Sequence, residues 1–173
     1  VGRLEPGESL APKRRYGPVI SQEQLDRVMA YVETGREEGA TLLTGGNRIE
    51  APHGGYWLEP TIFDRVAPEA TIAREEIFGP VLATLTFQDE EAAVELANRT
   101  IYGLAAALWT RAVKRAHRVA SRIQAGTIWI NTYHPLDAAS PFGGYKQSGY
   151  GRELGKQALE LYTQVKSVWV DLH

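Results

Sequence analysis

Apolar positions follow a helical period in some stretches and an extended one in others. From Ser21 to Gly39 the period is helical: Leu25, Val28, Met29 and Val32 fall at i, i+3, i+4 and i+7, one face of a helix. Ser21 is placed to cap that helix, Gln24 three residues later completes a capping-box pattern, and Gly39 marks its stop. Thr41 to Thr44 reads as a short strand ended by Gly45-Gly46, and Gly54-Gly55 opens a second extended stretch, Tyr56 to Phe63.

Beyond Pro80 the pattern becomes regular. Val81 to Phe87 reads as a buried strand. Asp89 to Asn98 reads as a helix, because an acidic first turn (Asp89, Glu90, Glu91) complements the positive end of a helix dipole. Gly103 to Thr110 is a strand. Arg111 to Gln124 is a helix with Val113, Ala116, Ala120 and Ile123 on one side, and Thr127 to Asn131 is a further strand. Thr132 to Gly151 is rich in Gly and Pro without a period, and a loop of that length inside a domain is usually functional. Arg152 to Gln164 shows Leu154, Ala158, Leu161, Tyr162 and Val165 at helical spacing, and Ser167 to Leu172 reads as a terminal edge strand. Strands alternating with helices predict βαβ units with right-handed crossovers. The expected fold class is therefore α/β, with a mostly parallel sheet and helices on both faces. No repeat and no linker-like stretch divides the chain.

Composition narrows the function classes. The 173 residues suit about one domain on the rough prior of ~150 residues each. Net charge is -2, from 19 Lys plus Arg against 21 Asp plus Glu, which argues against a nucleic-acid partner and against a polybasic membrane anchor. No apolar run approaches a membrane span, and the polar start with Lys13, Arg14 and Arg15 does not read as a signal peptide. A cytoplasmic location is expected. There is no cysteine, so this chain supplies no disulfide, thiolate metal site or cysteine nucleophile. The chain opens on Val1, and its one methionine, Met29, lies inside the first helix. That reads as a fragment, a processed product or a trimmed piece of something longer.

Among the motifs, His53, His117, His134 and His173 show no metal-ligand spacing, and no metal is expected. Gly149, Gly151 and Gly155 half resemble a dinucleotide fingerprint, but a long loop replaces the strand it requires, so they read as turn and packing residues. Glu75-Glu76-Ile77-Phe78-Gly79-Pro80 allows two readings. It is either a solvated acidic turn with its Phe tucked into the core, or a carboxylate accepting hydrogen bonds from ligand hydroxyls with the Phe ring against the same ligand. Pro141 to Gly149 is similar in kind, a glycine-rich stretch able to line a pocket with Phe142.

Taken together, five segments resemble the aldehyde dehydrogenase superfamily: YGPVIS at 16–21, TIAREEIFGPV at 71–81, YGLAAALWT at 102–110, AGTIWINTY at 125–133 and PFGGYKQSGYGRELG at 141–155. They occur in the family's order and cover nearly the whole chain. The resemblance implies oxidation of an aldehyde to a carboxylic acid with NAD or NADP, through a cysteine thiolate and a general-base glutamate. In the family both catalytic groups, and the nucleotide-binding domain, precede the region matched here. By motif position, Glu76 would bind the nicotinamide-ribose hydroxyls and Phe78 would pack beside the same ribose and ring. Phe142 would line the aldehyde tunnel, and Tyr133, His134 and Leu136 lie where substrate selectivity is set. Glu153 matches a buried glutamate that some members use in proton movement; a plain first-turn helix glutamate is the other reading. A quaternary-ammonium aldehyde would need an aromatic cage. Only Tyr133 and Phe142 could contribute to one in this stretch, and betaine-type members carry Trp near position 133, so that substrate is not favoured.

The resemblance divides the chain into residues 1–164, the C-terminal part of a catalytic domain, and residues 165–173, an oligomerisation strand that adds to a neighbour in a homodimer or tetramer. Alone, the chain is expected to be inactive. The alternative is a non-catalytic assembly or regulatory protein derived from such an enzyme.

Overall fold

Helix α1 (Gln22–Glu37) forms where the spacing of Leu25, Val28 and Val32 predicts it, and all three are buried. It belongs to a computed structural model that describes Leu4, Gly7, residues 16–50 and residues 54–173; Lys13, Arg14, Arg15 and His53 lie outside the described residues. Ser21 Oγ accepts the Gln24 N–H at 3.1 Å, the N-cap bond. Only that half of the predicted capping box forms. The Gln24 carboxamide reaches across to the carbonyls of Ile77 and Phe78 instead. Beyond the C-cap Glu38, Gly39 takes a φ of 84°, a left-handed conformation that stops the helix at little steric cost.

The chain folds as two compact units, residues 1–87 and 88–173. The sequence pattern shows no break there, because no linker-like composition marks it. In the first unit, β1 (Thr41–Thr44) is followed by β2 (Arg48–Ile49), β3 (Trp57–Leu58) and β4 (Thr61–Asp64); α2 (Thr71–Arg74) then leads to β5 (Val81–Ala83). β4 pairs antiparallel with β1 and parallel with β5, and β2 pairs antiparallel with β3. The predicted extended stretch 56–63 is split at Glu59-Pro60, where proline has no N–H to offer a ladder. The core of this unit gathers Leu25, Val28 and Val32 from α1, Leu58 and Phe63 from β3 and β4, and Val66, Ala70, Ile72 and Ile77. Each fully buried large side chain there contributes roughly 1.5–3 kcal/mol relative to exposure.

Two polar features set the path toward the acidic motif. The Glu38 carboxylate accepts from Thr71 N–H and Thr71 Oγ1 at 2.8 and 2.7 Å, tying the end of α1 to the start of α2. The buried Thr61 hydroxyl donates to Glu59 O and accepts Gly46 N–H, each at 2.8 Å, while Thr61 N–H bonds Pro80 O at 2.8 Å.

The second unit runs α3 (Glu90–Asn98), β6 (Tyr102–Gly103), β7 (Ala105–Leu108), α4 (Val113–Arg122), β8 (Thr127–Ile130), β9 (Tyr145–Lys146) and α5 (Ala158–Leu161). Asp89 caps α3 by accepting Ala92 N–H at 2.9 Å. β7 and β8 pair in parallel through α4, the predicted βαβ unit, and β6 pairs antiparallel with β9. Glu90 binds Arg118 Nε and Nη2 at 2.6 and 2.7 Å and Arg115 Nε at 3.2 Å, and Glu91 pairs with Arg122, so charges lock α3 to α4. The Arg118 guanidinium first, and Arg115 with it, holds the Glu90 carboxyl down at about 2.

Several expectations need correction. The sheets are mixed rather than mostly parallel: among the described residues β4–β5 and β7–β8 are parallel, whereas β1–β4, β2–β3 and β6–β9 are antiparallel. Antiparallel neighbours need no crossover element, and short strands joined by loops pair that way. Val113 lies on α4 but is 71% exposed, outside the apolar side assigned to it. The helix predicted over 152–164 shrinks to α5. Glu153 commits its backbone N–H and C=O to Phe142, both at 2.7 Å, and Leu154 and Gly155 both sit at φ 60°, which an α-helix cannot include. Finally, residues 167–172 form no strand; Trp169 is 92% exposed. A β-rich sequence needs a neighbouring strand to satisfy its backbone, and none pairs with it among the described residues.

Candidate functional site

The acidic motif forms a tight turn between α2 and β5. Glu75 N–H closes α2 by bonding Thr71 O at 2.9 Å. Ile77 points into the core and is buried, whereas Phe78 is 76% exposed. The residue tucked inside is therefore the isoleucine, not the phenylalanine. Phe78 also sits at φ 55°, a left-handed conformation that is uncommon for an aromatic residue and persists only where its surroundings hold it. Gly79 packs against α1 so closely that a Cβ there would lie 2.7 Å from Val28 Cγ2.

The two carboxylates of the turn differ. Glu75 Oε2 accepts a hydrogen bond from Tyr31 Oη at 2.8 Å. Glu76 is exposed and its carboxylate makes no hydrogen bond or ion pair among the described residues. An ionised carboxylate is an acceptor with about four lone-pair positions, suited to a pair of neighbouring hydroxyls. Glu76 and the Phe78 ring thus leave an acceptor and an apolar face open on either side of the buried Ile77 in sequence. That chemistry fits the ribose of a nucleotide cofactor.

The other residues that the resemblance singles out belong to the second unit. Asn131, at the end of β8, takes φ 56° and bonds Thr110 twice: its Oδ1 accepts Thr110 N–H and its Nδ2 donates to Thr110 O, both at 2.8 Å. These bonds fix where the chain leaves β8. Tyr133 and His134 follow, with His134 at φ 68°. Their rings gather with that of Trp129, at centroid distances of 5.4 Å (Trp129–Tyr133), 5.9 Å (Trp129–His134) and 6.2 Å (Tyr133–His134). Trp129 is 8% exposed and donates Nε1–H to Pro135 O at 3.0 Å, so it forms the inner wall of the group while Tyr133 and His134 remain exposed. Leu136 is exposed on the same segment. The aromatic inventory of this stretch is therefore larger than Tyr133 and Phe142 alone.

Phe142 is half-buried and bridges Glu153 through its backbone. The glycine-rich stretch after it is held by its own polar residues. Ser148 Oγ accepts Gly103 N–H at 2.9 Å. Lys146 Nζ donates to Asn98 O and Thr100 O at 2.7 and 2.9 Å. Arg152 Nη1 donates to Gly144 O at 3.0 Å. Glycine is required where Gly126 meets Gly143: a Cβ on Gly126 would lie 1.6 Å from Gly143 O. Gly149, Gly151 and Gly155 all have positive φ, in keeping with turn and packing roles. Glu153 is exposed and lies in a strand bridge, neither buried nor in a helical first turn.

Tyr31, Trp129 and Asn131 make shaping contacts near these residues that sequence reasoning did not single out, and Gln24, read there only as part of a capping box, makes another. Asn131 carried a usable signal, since Asn after a strand tolerates the left-handed turn. Gln24 and Tyr31 carried none, because their contacts lie 44 to 54 residues away in the chain.

Comparison with known proteins places these motifs. The aldehyde dehydrogenase family model matches residues 1–168. The chain belongs to the aldehyde dehydrogenase family. It is 51% identical over 169 residues to the betaine aldehyde dehydrogenase of Bacillus subtilis (strain 168), covering 96% of this chain and 34% of that protein. Among solved structures, an NAD+ complex of an aldehyde dehydrogenase from Bacillus cereus superposes with a TM-score of 0.93 at 48% identity, over 99% of this chain and 35% of that one. The P. syringae indole-3-acetaldehyde dehydrogenase, solved with NAD+ and IAA, gives a TM-score of 0.94 at 45% identity, over 99% and 34%. The chain thus spans about a third of the length of the dehydrogenases it matches. Relatives of similar identity carry different aldehydes in their names, so family membership leaves the substrate open. Among the described residues no helix is long and apolar enough to cross a membrane.

Proposed function

We propose that this chain is the C-terminal part of an NAD(P)-dependent aldehyde dehydrogenase, and that it supplies cofactor-ribose contacts, part of the substrate-tunnel wall and subunit contacts. Residues 1–164 would be the last part of the catalytic domain. The Glu76 carboxylate, without a partner among the described residues and two residues before the exposed Phe78 ring, carries this reading. It contrasts with Glu75, whose carboxylate is already engaged by Tyr31. When bound, the nicotinamide supplies the hydride acceptor. Glu76 would accept hydrogen bonds from the ribose hydroxyls, and Phe78 would shield the adjoining face from water. In this reading Tyr133, His134, Leu136 and Phe142 line the path of the aldehyde, with Trp129 supporting the first two.

The chain contains no cysteine, so the nucleophile comes from elsewhere in the enzyme. The chain on its own should give no aldehyde-dependent growth of reduced cofactor absorbance with acetaldehyde, benzaldehyde or a longer aldehyde; measurable turnover would refute the assignment of parts. In the longer enzyme, Glu76→Gln should slow hydride transfer more than it weakens cofactor binding. Misplacing the ring is costly, whereas many contacts hold a nucleotide. Single-turnover hydride transfer unchanged by Glu76→Gln would remove Glu76 from the site. Residues 165–173 we assign to subunit contact: Val168, Trp169, Val170 and Leu172 are all exposed, and a β-rich terminal segment without a neighbour can pair with a second chain.

A further inference from the structure

Three residues on one face of α1, at positions i, i+4 and i+7, meet the turn that carries Glu76 and Phe78. Tyr31 bonds the Glu75 side chain, and Val28 fills the space against Gly79. Gln24 alone of the three binds the backbone of the turn: its Nε2 donates to Ile77 O at 3.3 Å and to Phe78 O at 3.0 Å. Those two carbonyls belong to the peptide planes on either side of Phe78. The angle between the planes is set by φ and ψ of Phe78 and by nothing else. One amide nitrogen holding both carbonyls therefore keeps them on one side of the chain, which excludes the extended region for Phe78, whose φ is 55°. Rotation toward the ordinary β region would swing one carbonyl out of reach. The carboxamide is free for this because the N-cap bond to Ser21 uses only the Gln24 backbone N–H.

We propose that Gln24 is a positioning residue, which holds Phe78 out of the extended region and thereby sets the direction of the Phe78 ring, and of the Glu76 carboxylate two residues before it, toward the cofactor. This rests on the assignment of Glu76 and Phe78 as cofactor contacts. Gln24→Met keeps the length of the side chain and removes the donor; Gln24→Lys restores a donor at similar reach.

The test compares both variants with Glu76→Gln in the longer dehydrogenase. Gln24→Met should slow single-turnover hydride transfer roughly tenfold while the cofactor KM moves by less than about twofold, as expected for lost orientation rather than lost binding. Gln24→Lys should recover most of the rate. A readout independent of activity is amide hydrogen exchange in the cofactor-free protein. Gln24→Met should speed exchange at Val81, whose N–H bonds Gly79 O at 2.8 Å at the end of the turn, and leave α1 protected. Hydride transfer unchanged in Gln24→Met but slowed in Glu76→Gln overturns the positioning role and leaves the site assignment standing. Transfer unchanged in Glu76→Gln overturns the site assignment, and the positioning role with it. Unchanged exchange at Val81, or equal losses in both Gln24 variants with α1 deprotected, also overturns it.

Discussion

Residues 1–87 and 88–173 are nearly equal in length but are held together differently. The first unit buries a contiguous apolar cluster of nine residues, with Val28, Val32 and Phe63 fully inaccessible. In the second, the buried apolar residues are Val94, Ala116, Ala125 and Trp129, two of them alanines with little surface to bury. Its helices are joined instead by Glu90 with Arg115 and Arg118, by Glu91 with Arg122, and by Asn98. The Asn98 side chain accepts Gln124 N–H at 2.8 Å and donates to Arg122 O at 2.9 Å. Apolar burial is insensitive to salt and acid, whereas exposed ion pairs answer to both. The turn that carries Glu76 and Phe78 stands on the first kind of foundation, which suits a turn that must hold a left-handed aromatic residue in place.

The contrast can be broken or sharpened by four measurements. The largest effect should come from Phe63→Ala. Emptying a fully buried aromatic site should destabilise the first unit by about 3–5 kcal/mol, read from chemical denaturation. A loss near zero would mean that the cluster does not hold the unit. Next is Thr61→Val, which keeps the shape but removes the acceptor for Gly46 N–H and the donor to Glu59 O. It leaves a buried donor unsatisfied, at roughly 1–3 kcal/mol. Protection of the Gly46 amide from exchange should fall with it.

For the second unit the lever is acid. The Glu90 carboxyl sits at about 2 against an ordinary 4.5, so the fold favours its ionised form. Its contribution is full above about 4.5 and is lost as pH falls from there toward about 2. Across that window amide protection in α3 and α4 should fall, and Glu90→Gln should remove much of the pH dependence. High salt at neutral pH should reproduce part of the loss. A protection profile in α3 and α4 indifferent to both would overturn the contrast. The smallest effect on stability should come from deleting residues 165–173, whose side chains are exposed. The denaturation midpoint should hardly move, while light scattering should report a smaller assembly. An unchanged mass would remove that tail from the subunit interface.

Element positions were legible in the sequence wherever a period and a cap agreed. α1, α3 and α4 begin within two residues of the predicted starts, and β1, β7 and β8 fall inside the predicted strands. The errors share a cause. The helix expected over 152–164 had the right spacing, yet the bridge from Phe142 to Glu153 took the Glu153 carbonyl that its first turn needed. The strand expected over 167–172 had the right composition and no strand beside it. The parallel sheet was overestimated because alternation of strands and helices does not say which strands become neighbours.

The sequence by itself determined the family and what this chain lacks. The order and spacing of five short motifs identify the family, and the absence of cysteine excludes a thiolate nucleophile from this chain. These are properties of residue type and spacing along the chain. Only the tertiary structure decided that Ile77 rather than Phe78 turns inward, that Tyr31 engages Glu75 and leaves Glu76 free, and that Gln24 braces the turn instead of completing its own cap. Each of those outcomes depends on α1 packing against a turn more than forty residues later in the chain. Local propensity ranks conformations only over a few neighbouring residues, so it has no means of choosing among contacts at that separation.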